Sequence, residues 1–164
     1  MPAQAIEAGG IAGDAFAPTL QGRTVDIAFL DDDTAIDRSF ELMSVLRPQL
    51  AREDYLATVR RLMATTGYRL VALEEDGLRA LAGIRIGEWL HSGRYLEVED
   101  LVTAPAERSR GHGRTLLAWI AEHARAQGCR HLRLVSGVQR ANAHRFYARE
   151  GLAWEAKYFS MDLG

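Results

Sequence analysis

From Arg108 to Leu117 the chain reads Arg-Ser-Arg-Gly-His-Gly-Arg-Thr-Leu-Leu, with two glycines one residue apart among three arginines. Glycine reaches backbone conformations with φ > 0 and lets a ligand come close to the main chain. A strongly patterned helix follows, and the free N–H groups of a helix's first turn attract anions. The segment reads as a cradle for a phosphorylated ligand, against the plainer alternative of a solvated surface turn. It is not a P-loop, because no Gly-Lys-Ser/Thr follows. It is not a dinucleotide fingerprint either, which needs Gly-x-Gly-x-x-Gly early in a βαβ unit.

Upstream, Glu97 and Glu99 alternate along a predicted strand, and a period of two places them on one face with Leu101. Asp100 falls on the other face. Downstream, Phe146 and Tyr147 stand on a short helix closed by Gly151. Other candidate groups have bland readings. Cys129 is the single cysteine, so no internal disulfide forms, and its place before a strand suits a buried structural thiol. His91, His112, His123, His131 and His144 show no metal-ligand spacing, so no metal is expected. His112 reads as a surface side chain. Trp89 is the tryptophan best placed to line an acceptor pocket. Asp31-Asp32-Asp33 reads as helix capping rather than metal binding.

The elements that must carry these groups follow from periodicity and turn chemistry. A strand is expected over Val25 to Leu30, a helix over about Thr34 to Leu46 broken by Pro48, and a helix over Glu53 to Thr65 stopped by Gly67. Strands over Tyr68 to Glu74 and Leu78 to Trp89 flank an Asp-Gly hairpin turn. A strand over Tyr95 to Thr103 leads into the glycine loop and a helix from Gly113 to about Gln127. A strand over His131 to Ser136, a helix over Ala141 to Glu150 and a final strand over about Ala153 to Leu163 complete the order. The fold class is α/β: one mixed, mostly antiparallel sheet with helices on its faces. Residues 1–22 read as a flexible N-terminal tail and 23–164 as a single domain.

The bulk numbers set the class. A chain of 164 residues, 48% hydrophobic and 26% charged, suits one domain with a sizeable core. A formal net charge of −2 argues against general nucleic-acid binding, which favours a basic surface. No apolar run approaches a transmembrane helix, and the N-terminus lacks a signal-peptide pattern, so no membrane association and a reducing cytoplasm are expected.

From about Val25 to Leu163 the sequence resembles the GNAT N-acetyltransferase superfamily, most strongly from Glu99 to Gly151. Arg108, Gly111 and Gly113 match the family's pyrophosphate motif Gln/Arg-x-x-Gly-x-Gly/Ala. Ala143-His144-Arg145-Phe146-Tyr147-Ala148-Arg149-Glu150-Gly151-Leu152 is similar to its Ala-x-x-Phe-Tyr-x-x-x-Gly-Phe signature. The resemblance implies transfer of an acetyl group from acetyl-CoA to an amine, with a small molecule or a peptide as acceptor. It implies that the pyrophosphate sits on the N–H groups of Ser109, Arg110, Gly111, His112, Gly113 and Arg114. It also implies that the pantetheine pairs with the backbone of Leu101, Val102 and Thr103, in a gap where this strand splays from its parallel neighbour. Glu99, or Glu97 in its place, would be the base, the N–H of about Val102 would polarise the carbonyl, and Tyr147 would be the acid. The family commonly has Asn where Arg140 stands, so Arg140 is the candidate to reach a cofactor oxygen or the end of Ser136 instead, against the plainer alternative of a solvated arginine at the helix start. Direct attack on the thioester needs no enzyme nucleophile. Dimers are common in such families, so a homodimer is an open expectation. The rival readings are a non-catalytic acyl-CoA sensor, a toxin-like transferase acting on charged tRNA and transfer of a longer acyl group.

Overall fold

The computed structural model describes residues 18–20 and 22–164. The expected N-terminal tail, apart from its last few residues, therefore lies outside the described residues. At its end, β1 (Thr19–Leu20) pairs antiparallel with β2 (Arg23–Thr24).

Five further strands form the sheet: β3 (Asp26–Phe29), β4 (Arg69–Glu74), β5 (Leu78–Trp89), β6 (Gly93–Thr103) and β7 (His131–Leu134), in that spatial order. The first four pair antiparallel and β6–β7 is parallel. Three helices, α1 (Asp33–Arg38), α2 (Phe40–Leu46) and α3 (Arg52–Thr66), cover one face. There Ile36, Met43, Tyr55 and Val59 pack with Leu70, Leu81 and Val102. α4 (His112–Ala126) crosses from β6 to β7 over the other face, where Leu116, Leu117, Ile120 and Ala124 meet Ala82, Ile84, Leu96 and Val98. α5 (Ala141–Arg149) sets Phe146 and Tyr147 against that second core. No helix among the described residues is long and apolar enough to cross a membrane.

Local rules explain most boundaries. Asp32 caps α1 by accepting from the Ala35 N–H at 2.8 Å, and Gly67 ends α3 at φ +71°. The single helix expected over Thr34 to Leu46 is two. Ser39 interrupts it, its buried hydroxyl bonding the Ile36 carbonyl at 2.7 Å and lying 2.9 Å from the Tyr55 hydroxyl. A side chain that competes for backbone partners bends a helix at such a point.

The strand expected over Ala153 to Leu163 is absent from the described structure. These residues form no ladder, and Trp154, Phe159, Met161 and Leu163 are exposed. The alternation in the sequence is real, but a strand needs a paired edge, and this segment lies on none.

Candidate active site

β6 carries a one-residue irregularity that decides which side chains reach the site. On β5, Ala80, Ala82, Ile84 and Ile86 all face the α4 core, without interruption. On β6, Leu96 and Val98 face that core, yet Val102 faces the α1–α3 core. The register shows why: Ile84 opposes Val98 and Gly83 opposes Asp100, so Glu99 is an extra residue in a β-bulge. The expectation that Leu101 shares a face with Glu97 and Glu99 is thereby corrected. The bulge moves Leu101 to the α4 side, where it packs partly into the core, while Glu99 stays on the side of Glu97 and reaches Arg85, the residue that opposes Glu97.

A buried polar knot holds the bulge. Asp100 is 9% exposed, accepts from Arg47 Nε at 2.7 Å and from the Tyr68 hydroxyl at 2.8 Å. Arg47 also donates from Nη2 to the Glu99 carbonyl at 2.9 Å. Tyr68 passes directly over Gly83, where a Cβ would stand 1.9 Å from its hydroxyl oxygen. Beside Asp100, and with most of its surface covered, the Tyr68 phenol is pushed far above its ordinary value by burial first and by the carboxylate second.

Beyond Val98 the two parallel strands part. The ladder runs from Tyr95↔His131 to Val98↔Leu134 and stops, although β6 continues to Thr103. A cavity of about 200 Å³ opens there, lined among others by Arg47, Glu99, Leu101, Ser136, Arg140 and Tyr147. Glu99 and Tyr147, expected as base and acid, thus share one cavity. Burial raises the Glu99 carboxyl above its usual range, while Arg85, with Nη2 at 2.6 Å from Oε1, opposes this. The contact is ionic, and Oε1 has no well-aligned hydrogen bond. Burial likewise raises the Tyr147 phenol, with Arg140 opposing, so it carries its proton at neutral pH.

Other expected groups lie elsewhere. Glu97 accepts from Arg133 Nη2 at 3.0 Å and is not on the cavity wall. Arg133 is stacked between Trp89 and Tyr95, 3.5 Å from each ring centroid. Trp89 therefore belongs to that stack and lines no part of the cavity. Cys129 is half-buried against the α4 core, also away from the cavity. Sequence reasoning missed Arg47. It closes α2 ahead of Pro48, in a stretch that shows no motif, and only the pairing with Asp100 brings it to the site.

The glycine loop joins β6 to α4. Ser109 and Gly111 both have positive φ, +63° and +95°, and Gly111 is the residue before the first helical turn. No side chain caps α4 and its first turn holds no acidic residue, so its amides stay open to an anion. A Cβ on Gly113 would lie 3.0 Å from Thr103 Oγ1. Arg110 is drawn to Glu107 at 3.1 Å and Arg114 to Glu150 at 3.3 Å, yet both remain mostly exposed. His112 is not the expected surface side chain. It is 2% exposed, with Nε2 3.0 Å from Glu75 Oε2 and Nδ1 3.4 Å from the Glu107 carbonyl. That contact, first among its causes, holds the Glu75 carboxyl below the usual range. His112 can therefore offer the cradle its backbone N–H alone, while its ring ties the loop to the β4–β5 turn.

Comparison with known proteins places the fold in a family. Residues 35–152 match the model of the acetyltransferase (GNAT) family. An uncharacterized N-acetyltransferase of Bacillus subtilis is 40% identical over 110 residues, covering 66% of this chain and 78% of the relative. The aminoalkylphosphonate N-acetyltransferase of Salmonella typhimurium is 36% identical over 85 residues, covering 51% and 54%. Among solved structures, the aminoglycoside N-acetyltransferase AAC(6')-Iy in complex with CoA superposes with a TM-score of 0.73. It shares 18% identity over 85% of this chain and 95% of that chain. The last likeness speaks for the fold.

Proposed function

Because the chain belongs to the GNAT acetyltransferase family and is an N-acetyltransferase, we propose that it transfers acetyl from acetyl-CoA to a small primary amine by direct attack. The observation that carries this reading is the cavity at the β6–β7 splay, which brings the Glu99 carboxyl and the Tyr147 phenol to one space. The α4 N-terminus supports the choice of donor: an uncapped first turn, two positive-φ residues and a glycine whose Cβ would crowd Thr103 suit a pyrophosphate. The main-chain amides from Ser109 to Arg114 would hold it, with Arg108 and Arg114 adding charge. The backbone of Leu101, Val102 and Thr103 would hold the extended arm, as a strand edge holds a strand. Acetyl-CoA supplies an activated thioester there.

The proton balance assigns the two side chains. An ammonium must lose its excess proton before its nitrogen can bond to carbon. The nitrogen loses one more as the amide forms, and the departing sulfur gains one. Glu99, or water it polarises, accepts at the amine side. Tyr147 Oη donates at the sulfur side. The N–H of about Val102 would meet the developing carbonyl charge. No enzyme nucleophile is needed, and Cys129 is out of reach of the cavity. Glu97, locked by Arg133, is a structural carboxylate in this scheme. Use of a CoA thioester is the ground for reading the protein as cytoplasmic.

The test is thiol release from acetyl-CoA with a panel of primary amines. Turnover should depend on both substrates, and Glu99→Gln should lower kcat/KM by about a hundredfold. In the parent, activity should rise with pH through an acid limb set above the usual carboxylate range, since burial raises Glu99. That limb should vanish in the variant. Binding of acetyl-CoA without turnover of any amine would instead support a sensor.

A further inference from the structure

Every carboxylate that β6 presents near the splay is already matched by an arginine. Glu97 is held by Arg133 at 3.0 Å, Glu99 by Arg85 at 2.6 Å and Asp100 by Arg47 at 2.7 Å. Arg140, on the far wall of the cavity, engages no carboxylate among the described residues. The wall therefore carries a net positive charge, although the sequence of β6 alone is acidic. A guest bringing only positive charge would add to that excess, whereas one that also carries an oxyanion offsets it.

Of the two arginines on the cavity wall, Arg47 is the one held in place by a carboxylate. Asp100 anchors its Nε and the Glu99 carbonyl anchors Nη2, which leaves Nη1 without a partner among the described residues and the side chain 39% exposed. A planar guanidinium fixed on two sides loses little freedom when its remaining donors meet an oxyanion. Because one of its anchors is the main chain of Glu99 itself, the guanidinium stands beside the group that receives the amine.

Resting on the transferase reading above, we infer that the acceptor is a small amine carrying an oxyanion, carboxylate or phosphonate, on a short spacer, and that Arg47 selects it. The amine faces Glu99 and the oxyanion faces the outer edge of Arg47. The two charges of the acceptor then complete a wall whose own charges are paired apart from Arg140.

The experiment compares kcat/KM for matched amines in the thiol-release assay: 2-aminoethylphosphonate and β-alanine as the two oxyanion arms, ethanolamine as the neutral arm and putrescine as the cationic arm. The parent should favour at least one oxyanion arm over ethanolamine by about tenfold or more, one charge-assisted contact being worth about that factor. Which arm wins identifies the oxyanion. Arg47→Gln should collapse that ratio through KM, and Arg47→Lys should keep more of it than Gln does. Arg47 also balances a buried carboxylate, so the Arg47→Gln/Asp100→Asn pair is measured beside the single variant. It removes both charges together and should show the same loss of preference. A purely structural Arg47 would lower all four amines alike and leave the ratio intact, which overturns the inference. So would a parent that turns over ethanolamine or putrescine as well as the oxyanion arms, with the transferase reading still standing. Acetyl-CoA binding with no turnover of any amine would overturn both.

Discussion

The glycine cradle and the splay cavity are built on opposite plans. The proposed cradle is one continuous stretch, Arg108 to Arg114, whose binding atoms would be main-chain amides at the start of α4. The cavity is assembled from the end of α2, the bulge in β6, the segment after β7 and α5, and its working atoms are side chains. A main-chain site tolerates exchange of side chains provided that the conformation survives, so it depends on glycines and on what ties the loop down. A side-chain site depends on each partner being set by a different element. Damage to the first should appear as lost affinity for the donor, and damage to the second as lost turnover.

Tyr147→Phe should give the largest effect and the sharpest contrast. It keeps the ring that packs against Phe146 and the α4 core and removes only the hydroxyl. Where chemistry limits the rate, kcat should fall about ten- to a thousandfold with CoA affinity nearly unchanged. Survival of kcat would return Tyr147 to a packing role and leave the cavity without its acid.

Gly113→Val should produce the mirror image. Its branched side chain would press on Thr103, whose Oγ1 already lies 3.0 Å from the Cβ position. Calorimetry should report CoA binding weakened by about tenfold or more, about 1.4 kcal/mol, in a protein that still melts cooperatively. Unchanged affinity would remove the loop from the donor site and erase the distinction.

Gly83→Ala tests whether the bulge is what assembles the cavity. Its Cβ would stand 1.9 Å from the Tyr68 hydroxyl oxygen, and overpacking of this kind costs about 1–3 kcal/mol. Denaturant melts should show that loss in Gly83→Ala and little recovery in Gly83→Ala/Tyr68→Phe, because the ring carbons Cζ and Cε2 would still stand within 2.6 Å of that Cβ.

The smallest effect concerns stability and pH at Glu99. Burial raises its folded carboxyl above the unfolded value, against the pull of Arg85. The folded state thus favours the protonated form, a contribution fully present below the unfolded pKa and lost as pH rises through the folded one. Glu99→Gln stays neutral throughout. The Tm of the variant minus that of the parent should therefore grow, by a few degrees at most, as pH climbs from acid through neutral. A difference that shrinks over that window would show that the Arg85 pair outweighs burial.

Much of this was legible because the signals were local. Hairpin chemistry at Asp76-Gly77, apolar periodicity in α3 and α4 and stops at Gly67 and Gly151 locate elements to within a residue or two. Glu99 and Tyr147 were identifiable as candidates from strand context and from the Phe146-Tyr147 signature. Three misreadings share one cause. His112 looked exposed because its neighbours are polar, yet Glu75, distant in sequence, draws it inward. Trp89 looked free because Arg133 is far along the chain. The terminal alternation from Ala153 looked like a strand because pattern alone does not reveal whether an edge is available.

By itself, then, the sequence determined the order of elements from Asp26 to Arg149, the glycine-rich turn that opens α4 and the resemblance that the family match bears out. Those properties are written in spacings of a few residues, where backbone propensity and period decide. Tertiary structure alone decided that Glu99 and not Glu97 faces the cavity, that Arg47 stands beside it and that an acidic strand lines a wall with no free carboxylate. Strand parity is fixed by pairing: one extra residue opposite Gly83 reverses every side chain beyond it, and no pattern within β6 announces that β5 will leave Glu99 unmatched.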